Sequence, residues 1–396
     1  MSKIIAVNAG SSSLKFQLFE MDDESVITSG IVERIGMDDA IFTIKYNGQK
    51  ETKTLSVPTH NEAVELLLKT LIDKEIVHDL TEIKGIGHRI VQGGPYFDQS
   101  VIINEDVKAK IKELIPLAPL HNGPHLIGIE AFEKAIPEAG AVAVFDTAFH
   151  QSIPDSASIY PIPYEVSEKY KIKKYGAHGT SHRYVSERVI ELLGKPEHSH
   201  IIVAHLGAGG SLTAVKDGKS VNTSMGLTPL AGVMMATRCG DVDASVFDYL
   251  CEQCGYEPHD VFEMFNKKSG LLGVSGVSGD MRDVKAAADE GNKRAQLAIS
   301  IFERRVVDYI GKYYMELGHV DAIAFTAGIG ENSSFVRHDI LNMISEATGV
   351  VIDDDANENG KGERLITKPE SKIKVYVVPT DEELMIARDT KRLLNL

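Results

Sequence analysis

The chain has 396 residues, of which 43% are hydrophobic and 25% charged, and its formal net charge is −15. This acidic balance argues against a nucleic-acid partner, since phosphate backbones need a basic face, although a buried site can still attract a small phosphate ligand. No apolar run of about 18 residues occurs, so no membrane span is expected. Three cysteines and the lack of a signal-peptide pattern at the N-terminus predict a reducing compartment, with the cytoplasm as the default.

Short apolar strands alternate with amphipathic helices along the chain, which predicts an α/β fold, and the length predicts two or three domains. The predicted strands are Ile4–Val7, Leu14–Phe19, Ala40–Tyr46, Ile83–His88, Ala141–Phe145, Ile201–His205, Leu212–Lys216, Ala322–Thr326 and Lys374–Val378. The predicted helices are Glu62–Ile72, Asp106–Leu114, Leu126–Ala135, Tyr184–Leu193, Arg294–Leu317 and Phe335–Thr348. Gly194 and Gly318 should end two of them. The acidic, glycine-containing segment 353–362 is predicted to be a surface turn between strands.

One stretch of the sequence is repeated in pattern. IIAVNAGSSSLKFQLF at 4–19 and IIVAHLGAGGSLTAVKDGK at 201–219 each read as a strand, a turn rich in glycine or serine, and a second strand. These turns are longer and richer in donors than ordinary hairpins need, so we interpret them as two phosphate-binding loops rather than simple hairpins. The duplication predicts a clamshell with its site in a cleft and a main boundary near residue 150.

Eight longer motifs carry a more specific signal and lie in one order along nearly the whole chain. They resemble the motif series of the acetate kinase family. The motifs are NAGSSSLKF (8–16), GHRIVQGG (87–94), LAPLHN (117–122), VFDTAFHQ (144–151), YGAHGTSH (175–182), MMATRCGDVD (234–243), FTAGIGEN (325–332) and PTDEELMIARDT (379–390).

This resemblance implies a duplicated ribonuclease H-like (sugar kinase/Hsp70/actin) fold with a catalytic cleft between two domains. The first domain would be 1–150, completed by a C-terminal helix at about 382–396, and the nucleotide-binding domain would be 151–381. The resemblance also implies a homodimer. The expected reaction is reversible, direct in-line transfer of the γ-phosphoryl group of ATP to acetate, giving acetyl phosphate and ADP, with Mg²⁺ as cofactor and Mn²⁺ as an alternative ion.

The chemistry of that reaction can be matched to residue types. Acetate is already ionised near pH 7, so it needs no general base. The difficulty is repulsion, because two unit charges at about 4 Å repel by roughly 4 kcal/mol at an effective dielectric of 20. A site for this reaction must therefore supply cations and hold the groups in line, and arginine suits both tasks.

The resemblance assigns roles around the reacting groups. Arg89 would bind acetate, Arg238 would stabilise the transferring phosphoryl group, and His178 would donate to it. Asp146, at the end of a predicted strand, would align groups or hold a Mg²⁺-bound water, the alternative being a helix cap. His121 matches the family as a catalytic residue, although a packed structural histidine is an equal alternative. The remaining residues expected around the acetate methyl are Val91, Leu120, Ala177 and Pro229.

A further set of residues is matched to ATP and to the metal. Thirteen of the sixteen ATP-binding candidates lie in the second half of the chain. The other three, two serines and a lysine, lie in the NAGSSSLKF motif near the N-terminus. The resemblance implies Asn8 and Glu382 as the Mg²⁺ ligands. A capping box from Thr380 to Glu383 would occupy Glu383 and leave Glu382 free for the metal, which agrees with that choice. The ATP-binding candidates are Ser11, Ser13, Lys15, His205, Leu206, Gly207, Ala208, Gly209, Asp280, Met281, Arg282, Gly328, Ile329, Gly330, Glu331 and Asn332.

Several positions depart from the family pattern. Ala208 replaces an asparagine, which removes one phosphate donor and is the only hint of a donor other than ATP. Ala177 stands where the family usually has phenylalanine, and the smaller side chain should open the acyl pocket toward propionate. Two interpretations compete with an acetate kinase: a kinase for a slightly longer short-chain acid such as propionate, and a non-catalytic nucleotide-binding scaffold of the same fold. The other departures are Gln92 for histidine, Ala236 for glycine and Asp381 for asparagine.

Overall fold

The computed structural model describes residues 2–119, 121–195 and 197–396. The chain separates into two compact units, one comprising the residues up to Phe149 together with Asp381–Leu396, the other comprising His150–Thr380. Across the described ranges, none of the helices combines the length and the apolar character that crossing a membrane would require.

The first unit is built on an eight-stranded sheet with helices packed against it. In spatial order its strands are β5-β4-β3-β2-β1-β6-β8-β7, and β1 pairs in parallel with β6, as β6 does with β8. The strands are β1 (Lys3–Ala9), β2 (Ser13–Glu20), β3 (Ser25–Glu33), β4 (Ala40–Tyr46), β5 (Gln49–Leu55), β6 (Ile83–Ile90), β7 (Val101–Ile102) and β8 (Gly140–Phe145). The helices before the second unit are α1 (His60–Asp73), α2 (Glu105–Glu113) and α3 (Asn122–Ala135), with 3-10 turns at Leu80–Glu82, Ile115–Leu117 and Ala148–Ser152.

The second unit is built on a six-stranded sheet in the spatial order β11-β10-β9-β12-β14-β13. Its strands are β9 (His200–Leu206), β10 (Gly210–Lys216), β11 (Lys219–Thr223), β12 (Ala322–Thr326), β13 (Arg364–Leu365) and β14 (Lys374–Val377). Its helices are α4 (Asp155–Ser158), α5 (Tyr164–Tyr170), α6 (Gly179–Leu193), α7 (Ala244–Glu252), α8 (Pro258–Lys267), α9 (Gly270–Ser275), α10 (Met281–Asp289), α11 (Lys293–Leu317), α12 (Ala327–Asn332), α13 (Ser334–Thr348) and α14 (Asp354–Asn359).

The two sheets contain the same five-strand arrangement. In the first, β3, β2 and β1 are antiparallel neighbours, and β6 and β8 then run parallel to β1. In the second, β11, β10 and β9 take the same places, followed by the parallel strands β12 and β14. The repeated sequence pattern corresponds to the hairpins β1–β2 and β9–β10. The predicted α/β class and its duplication are confirmed.

The last helix, α15 (Glu382–Leu394), belongs to the first unit and packs on β1, β6 and β8. Its residues Ile386 and Ala387 join a buried cluster with side chains of β1 and β8. The approach to the sheet is close, since a Cβ atom on Gly87 would lie 2.4 Å from Ile386 Cγ2. Glycine in β6 is therefore what allows the C-terminal helix to pack directly on the strand.

The turn predicted at 353–362 is wrong in part, because α14 (Asp354–Asn359) forms there. Asp353 caps this helix by accepting a hydrogen bond of 3.1 Å from the Ala356 N–H. The carboxylates of the first turn favour a helix N-terminus, whereas the sequence interpretation took the following glycines as the dominant signal. The predicted helix ends at Gly194 and Gly318 are confirmed, with φ of 62° and 76°.

Candidate active site

The turn between β1 and β2 in the first unit exposes hydroxyl groups. Gly10 N–H donates to Ser13 O at 2.8 Å, and the Gly10 carbonyl lies 2.8 Å from His60 Nε2 at the start of α1. A Cβ atom on Gly10 would lie 2.7 Å from Ser13 Oγ, so a larger residue there would displace that hydroxyl. Ser11 and Ser12 are exposed on the turn that His60 holds. This geometry suits contact with an anionic ligand.

Arg89 and Asp146 form an ion pair at the ends of β6 and β8. Arg89 Nε lies 3.1 Å and Nη2 2.6 Å from the two Asp146 carboxylate oxygens, and Asp146 is buried. Burial opposes the charge of Arg89, yet Asp146 and then Glu382 outweigh it and raise the pKa of the guanidinium above its ordinary value. Arg89 therefore stays charged, and the Asp146 carboxylate binds the Nε and Nη2 side of its guanidinium.

Glu382, at the start of α15, adds a second carboxylate to this group. Burial, and then the charges of Asp146 and Glu383, raise the pKa of Glu382 to about 7, against the opposing effect of Arg89. The predicted capping box is wrong, because Asp381 caps α15 by accepting from Leu384 N–H at 2.9 Å. Glu383 pairs with Lys15 across the unit instead. Neither Glu382 nor Asp146, the two carboxylates beside Arg89, caps the helix.

The donors available for a metal ion can be tested against the chemistry of Mg²⁺. Asn8 lies half-buried in β1, opposite Lys15 in the β1–β2 ladder, and Glu382 is half-buried. Within the described ranges, no group of three or more His, Cys, Asp or Glu residues is placed to hold a metal ion. Mg²⁺ keeps several waters and uses one or two carboxylates plus phosphate oxygens. The Asn8 amide and the Glu382 carboxylate fit a Mg²⁺ ion that also binds waters and phosphate oxygens. They do not fit an ion held by protein ligands alone.

The segment after Arg89 is held by the first turn of α3. Asn122 Oδ1 accepts from Gln92 N–H at 3.1 Å, and Asn122 Nδ2 donates to Gln92 O at 2.9 Å. Val91 N–H is 3.3 Å from His125 Nδ1, and both partners are buried. His121 is exposed, so its interpretation as a packed core histidine is wrong. The predicted Leu120 lies outside the described residues.

In the second unit, His178 and Arg238 meet at the turn between β9 and β10. Gly207 N–H donates to Gly209 O at 2.9 Å, and Ala236 N–H to Ala208 O at 3.1 Å. A Cβ atom on Gly209 would lie 3.0 Å from Arg238 Nη2 and 3.3 Å from His178 Cε1. The glycine therefore lets a guanidinium and an imidazole approach the same point of the candidate phosphate loop.

Arg238 is anchored in the second unit through its other terminal nitrogen. Its Nη1 donates to Pro229 O at 2.7 Å, so the two predicted residues are in contact. Burial lowers the pKa of Arg238 from its ordinary value, and an arginine stays charged at neutral pH even so. Because no carboxylate pairs with it among the described residues, its charge is available to an anion.

Histidines surround the start of α6. His178 has φ of 56°, a left-handed conformation that a non-glycine residue adopts at a cost. Its ring stacks on that of His205 with centroids 4.1 Å apart, and His205 Nδ1 lies 2.8 Å from Ser181 Oγ. The preceding Ala177 is buried in a small apolar cluster with Met225 and Met235.

The segment AGIGEN at 327–332 forms the short helix α12, which is followed directly by α13. Ala327 N–H donates to Glu331 Oε1 at 2.9 Å, and Asn332 Nδ2 donates to Gly328 O at 2.8 Å. Gly328 is exposed, and no atom lies within 4 Å of a Cβ built there. Space for a flat ring therefore exists beside Gly328.

The segment 280–282 begins α10. Asp280 caps the helix by accepting from Arg282 N–H at 2.9 Å, and the Arg282 side chain pairs with Asp280 at 2.6 Å. This hydrogen bond to Arg282 lowers the pKa of Asp280 to about 2. Met281 is buried in the core, so only its backbone can meet a ligand, whereas Arg282 is largely exposed.

Several residues outside the eight sequence motifs hold the candidate site residues in place. The buried Arg337 of α13 donates to Gly330 O and Glu331 O, each at 2.9 Å, and so ties down α12. Ser211 lies between two histidines, and His60 binds the first loop. These residues contact motif residues without belonging to a motif themselves. Nothing in the sequence indicates which buried polar side chains will meet.

Known proteins resemble this chain over its whole length. The acetokinase family profile matches residues 3–388. An acetate kinase of Geobacillus kaustophilus (strain HTA426) is 53% identical over 397 residues, which cover 100% of both chains. The crystal structure of Porphyromonas gingivalis acetate kinase has a TM-score of 0.96 at 44% identity, with 100% of both chains covered. A propionate kinase from Francisella tularensis subsp. tularensis SCHU S4 has a TM-score of 0.93 at 43% identity, covering 99% of this chain and 100% of that one.

Proposed function

Because the chain belongs to the acetokinase family, we propose that it transfers the γ-phosphoryl group of ATP to acetate, reversibly and in line, giving acetyl phosphate and ADP. A phosphotransferase activity with a carboxyl group as acceptor follows from the family and from full-length relatives named acetate kinase. The observation that carries the assignment is that identity of 53% extends over the whole chain.

Arg89 binds the acetate carboxylate in this proposal. Its guanidinium is charged at every accessible pH and is oriented by Asp146 through Nε and Nη2. Asp146 acts by holding that orientation, since ionised acetate needs no base to remove a proton. Val91, whose N–H is bound by His125, contributes apolar surface for the methyl group. His121 and Leu120 remain proposed members of this side of the site.

Arg238 and His178 act on the transferring phosphoryl group. Their convergence on Gly209 supports this role, because donors aimed at one point stabilise charge that develops there. In the second unit, the segment 205–209 is the proposed contact of the ATP phosphates. In the first unit, Ser11, Ser13 and Lys15 are the proposed phosphate contacts. The adenosine lies against 328–332 and 280–282, which makes the second unit the nucleotide-binding domain.

Mg²⁺, or Mn²⁺ in its place, would be held by Asn8 and Glu382 together with waters. When bound, the ion neutralises charge on the phosphate oxygens of the nucleotide. The half-buried Glu382 carboxylate beside Asp146 supports the proposal, since two neighbouring carboxylates favour a cation. Asn8 supplies a neutral oxygen at the end of β1.

Propionate is a second proposed acceptor, and one observation supports it. Ala177 is buried with Met225 and Met235, and an alanine there leaves more room than the phenylalanine of the family pattern. Methionine side chains can also adjust to an added methylene. The structural relative named propionate kinase is 43% identical to this chain.

A homodimer is proposed from a surface of the second unit. Helix α7 has no buried residue, and apolar side chains of α7, α8 and their flanks are exposed. We define the α7–α8 surface as Val242, Val246, Phe247, Tyr249, Tyr256 and Phe262. Exposed apolar surface of this kind is typical of protein contacts, and a second copy is the occupant we propose. A cytoplasmic location is proposed on the three free cysteines.

The first experiment measures ATP- and Mg²⁺-dependent acyl-phosphate formation, trapped with hydroxylamine, with acetate, propionate and butyrate. Turnover of acetate is expected in the wild type, with kcat lowered at least about 100-fold in Arg238→Ala and Asp146→Asn. Preference for propionate would make it the main acceptor. No turnover with any acid, in folded protein that still binds ATP, would reject a kinase and favour a nucleotide-binding scaffold.

A further inference from the structure

The hydroxyl of Ser211 lies between two imidazole rings in the second unit. Ser211 is fully buried in β10, and its Oγ lies 2.8 Å from His178 Nδ1 and 2.7 Å from His182 Nε2. A serine hydroxyl donates one hydrogen bond and accepts up to two. It cannot donate to both rings, so at least one of the two ring nitrogens must carry a proton and donate to Ser211.

The surroundings of His182 decide which nitrogen that is. Its ring is fully buried, and burial, followed by the neighbouring His150 and His205, lowers its pKa well below the ordinary value. The neutral ring carries one proton, and Nδ1 has no hydrogen-bond partner among the described residues. A proton on Nδ1 would be a buried N–H without an acceptor, which is rare in folded proteins. The proton therefore lies on Nε2 and is donated to Ser211.

This order sets the state of His178. Since Ser211 accepts from His182, its own proton is available to His178 Nδ1, which then acts as an acceptor. A neutral His178 must carry its proton on Nε2. The stack on His205, itself held by Ser181, restrains the plane of the ring. The hydrogen bond to Ser211 and the stack on His205 thus determine the tautomer and the orientation of the His178 ring.

The Nε2 edge of His178 faces the candidate phosphate loop. A Cβ atom built on Gly209 would lie 3.4 Å from His178 Nε2 and 3.0 Å from Arg238 Nη2. When His178 carries its proton on Nε2, His178 Nε2 and Arg238 Nη2 are both hydrogen-bond donors beside Gly209. An anionic oxygen placed beside Gly209 would meet an imidazole N–H and a guanidinium N–H together. The other tautomer would instead present a lone pair and repel it.

We propose that Ser211 and His182 are positioning residues, which hold His178 as the Nε2–H tautomer so that it donates, beside Arg238, to an anionic oxygen. The identification of that oxygen as part of the transferring phosphoryl group rests on the proposed function. The proton order along His182, Ser211 and His178 does not rest on it, because it follows from their hydrogen-bond contacts and from the buried, unpartnered Nδ1 of His182. This role requires no proton transfer between His182, Ser211 and His178, because their hydrogen bonds only orient the donor.

Nitrogen-15 NMR of protein labelled at its histidines tests the tautomer directly. The His178 signals are assigned as those missing from the His178→Gln variant. We expect the wild type to show a protonated Nε2 and an unprotonated Nδ1 in His178, and the same tautomer in His182. A His178 protonated on Nδ1, or on both nitrogens at neutral pH, would overturn the proposal without any variant.

Substitutions at Ser211 test its role in the reaction. Ser211→Ala should change the His178 tautomer signals and lower kcat about tenfold or more, with KM for acetate near the wild-type value. Ser211→Thr keeps the hydroxyl and should restore both. Ser220→Ala is the matched control, because Ser220 is equally buried and lies 2.9 Å from His150 Nδ1. Equal losses in Ser211→Ala and Ser220→Ala, or an unchanged tautomer in Ser211→Ala, would reject the role.

A pair of variants at His182 tests the donor. His182→Gln keeps an N–H that can reach Ser211 and should retain the His178 tautomer, whereas His182→Leu should lose it. Equal spectra for the two variants would contradict the proposal. If the wild type forms no acyl phosphate from any acid, the proposed function fails, while the spectra still decide whether the proton order holds.

Discussion

Single glycines and charged pairs determine where the candidate site groups lie. Gly209 lets Arg238 Nη2 and the His178 ring approach the backbone, and any larger residue would displace one of them. In the other unit, Asp146 orients Arg89 by two contacts of a buried carboxylate. At this scale the chemistry depends on cations that stay charged and on donors whose direction is set by a neighbouring residue.

Ala177 offers a prediction about acceptor choice. Ala177→Phe should lower kcat/KM for propionate relative to acetate by about 10- to 200-fold, because added bulk removes the space for one methylene. Initial rates with both acids give the ratio. Ala236→Gly, which also restores a family residue, serves as the control and should leave the ratio unchanged.

Two results would contradict the Ala177 prediction. One is a wild-type kcat/KM for acetate more than about 100-fold above that for propionate, since a single methylene in a hydrophobic pocket discriminates by no more than this order. The other is an unchanged ratio in Ala177→Phe. Thermal unfolding of the variant should be measured alongside, because the neighbouring Met225 and Met235 must move to accept a ring.

Glu303 of α11 offers a prediction about stability and pH. It is buried, its Oε1 has no partner among the described residues, and burial, followed by Asp339, raises its pKa to about 8. Between an ordinary pKa of 4.5 and 8, the unfolded chain is ionised while the folded chain keeps the proton, so stability falls as pH rises. Glu303→Gln should remove this dependence.

The size of that effect follows from the same linkage. From pH 5 to 7, the free energy of unfolding should fall in the wild type by up to about 2.7 kcal/mol more than in Glu303→Gln. Urea denaturation at the two pH values measures it. Glu346→Gln, at an exposed position of α13, is the control and should behave like the wild type. Parallel pH profiles for wild type and Glu303→Gln would show that Glu303 is ionised in the folded state.

At the scale of elements, each unit places its candidate loop in a hairpin of the shared five-strand arrangement. The β1–β2 and β9–β10 turns follow the first strand of each sheet, and β6, β8 and β12 deliver Arg89, Asp146 and the 327–332 segment at their carboxyl ends. Loops that follow parallel strands are where α/β proteins bind ligands. The repeated hairpin thus places two donor-rich turns in equivalent positions.

The start of α15 offers a prediction at this scale. Asp381→Ala removes the acceptor of Leu384 N–H and should lower the free energy of unfolding by about 1 kcal/mol. Asp381→Asn, the family residue, keeps a cap and should stay near the wild type. Chemical denaturation of the three proteins measures this. Equal losses in the alanine and asparagine variants would mean that the charge, not the cap, stabilises this helix start.

For the whole molecule, the α7–α8 surface is the feature that the fold of a single chain does not account for. Helix α7 contacts α8 and buries none of its own residues, although both helices carry aromatic side chains. Leaving such side chains in water is unfavourable, and a second copy would cover them. The proposed homodimer accounts for their exposure.

Light scattering coupled to size exclusion tests this assembly. The wild type should elute as a dimer, and Tyr249→Asp, at a position 62% exposed, should shift it toward monomer because a buried charge without a partner destabilises the interface. Met315→Asp is the control, since Met315 on α11 is 77% exposed and lies outside the α7–α8 surface. A monomeric wild type, or an unchanged Tyr249→Asp dimer, would contradict the proposal.

Local pattern was sufficient to predict much of the fold and the family. The nine predicted strands and six predicted helices all form, because their apolar periodicity and glycine stops act over a few residues. The family resemblance, which rests on motifs read residue by residue, is confirmed by the full-length match. Arg89, Asp146, His178 and Arg238 were named from those motifs as well.

Other features depended on how separate elements pack, and only the tertiary structure decided them. The cap of α15 is Asp381 rather than Thr380, because the helix packs on the first sheet with Glu382 as its first residue. The contacts of Ser211 with His178 and His182, and of Arg337 with α12, join residues 6 to 33 positions apart in the chain. The sequence by itself therefore determined which groups carry the chemistry and which strands form. The packing of those strands and helices decided which buried donor meets which acceptor, since hydrogen-bond partners are set by distances that no local pattern encodes.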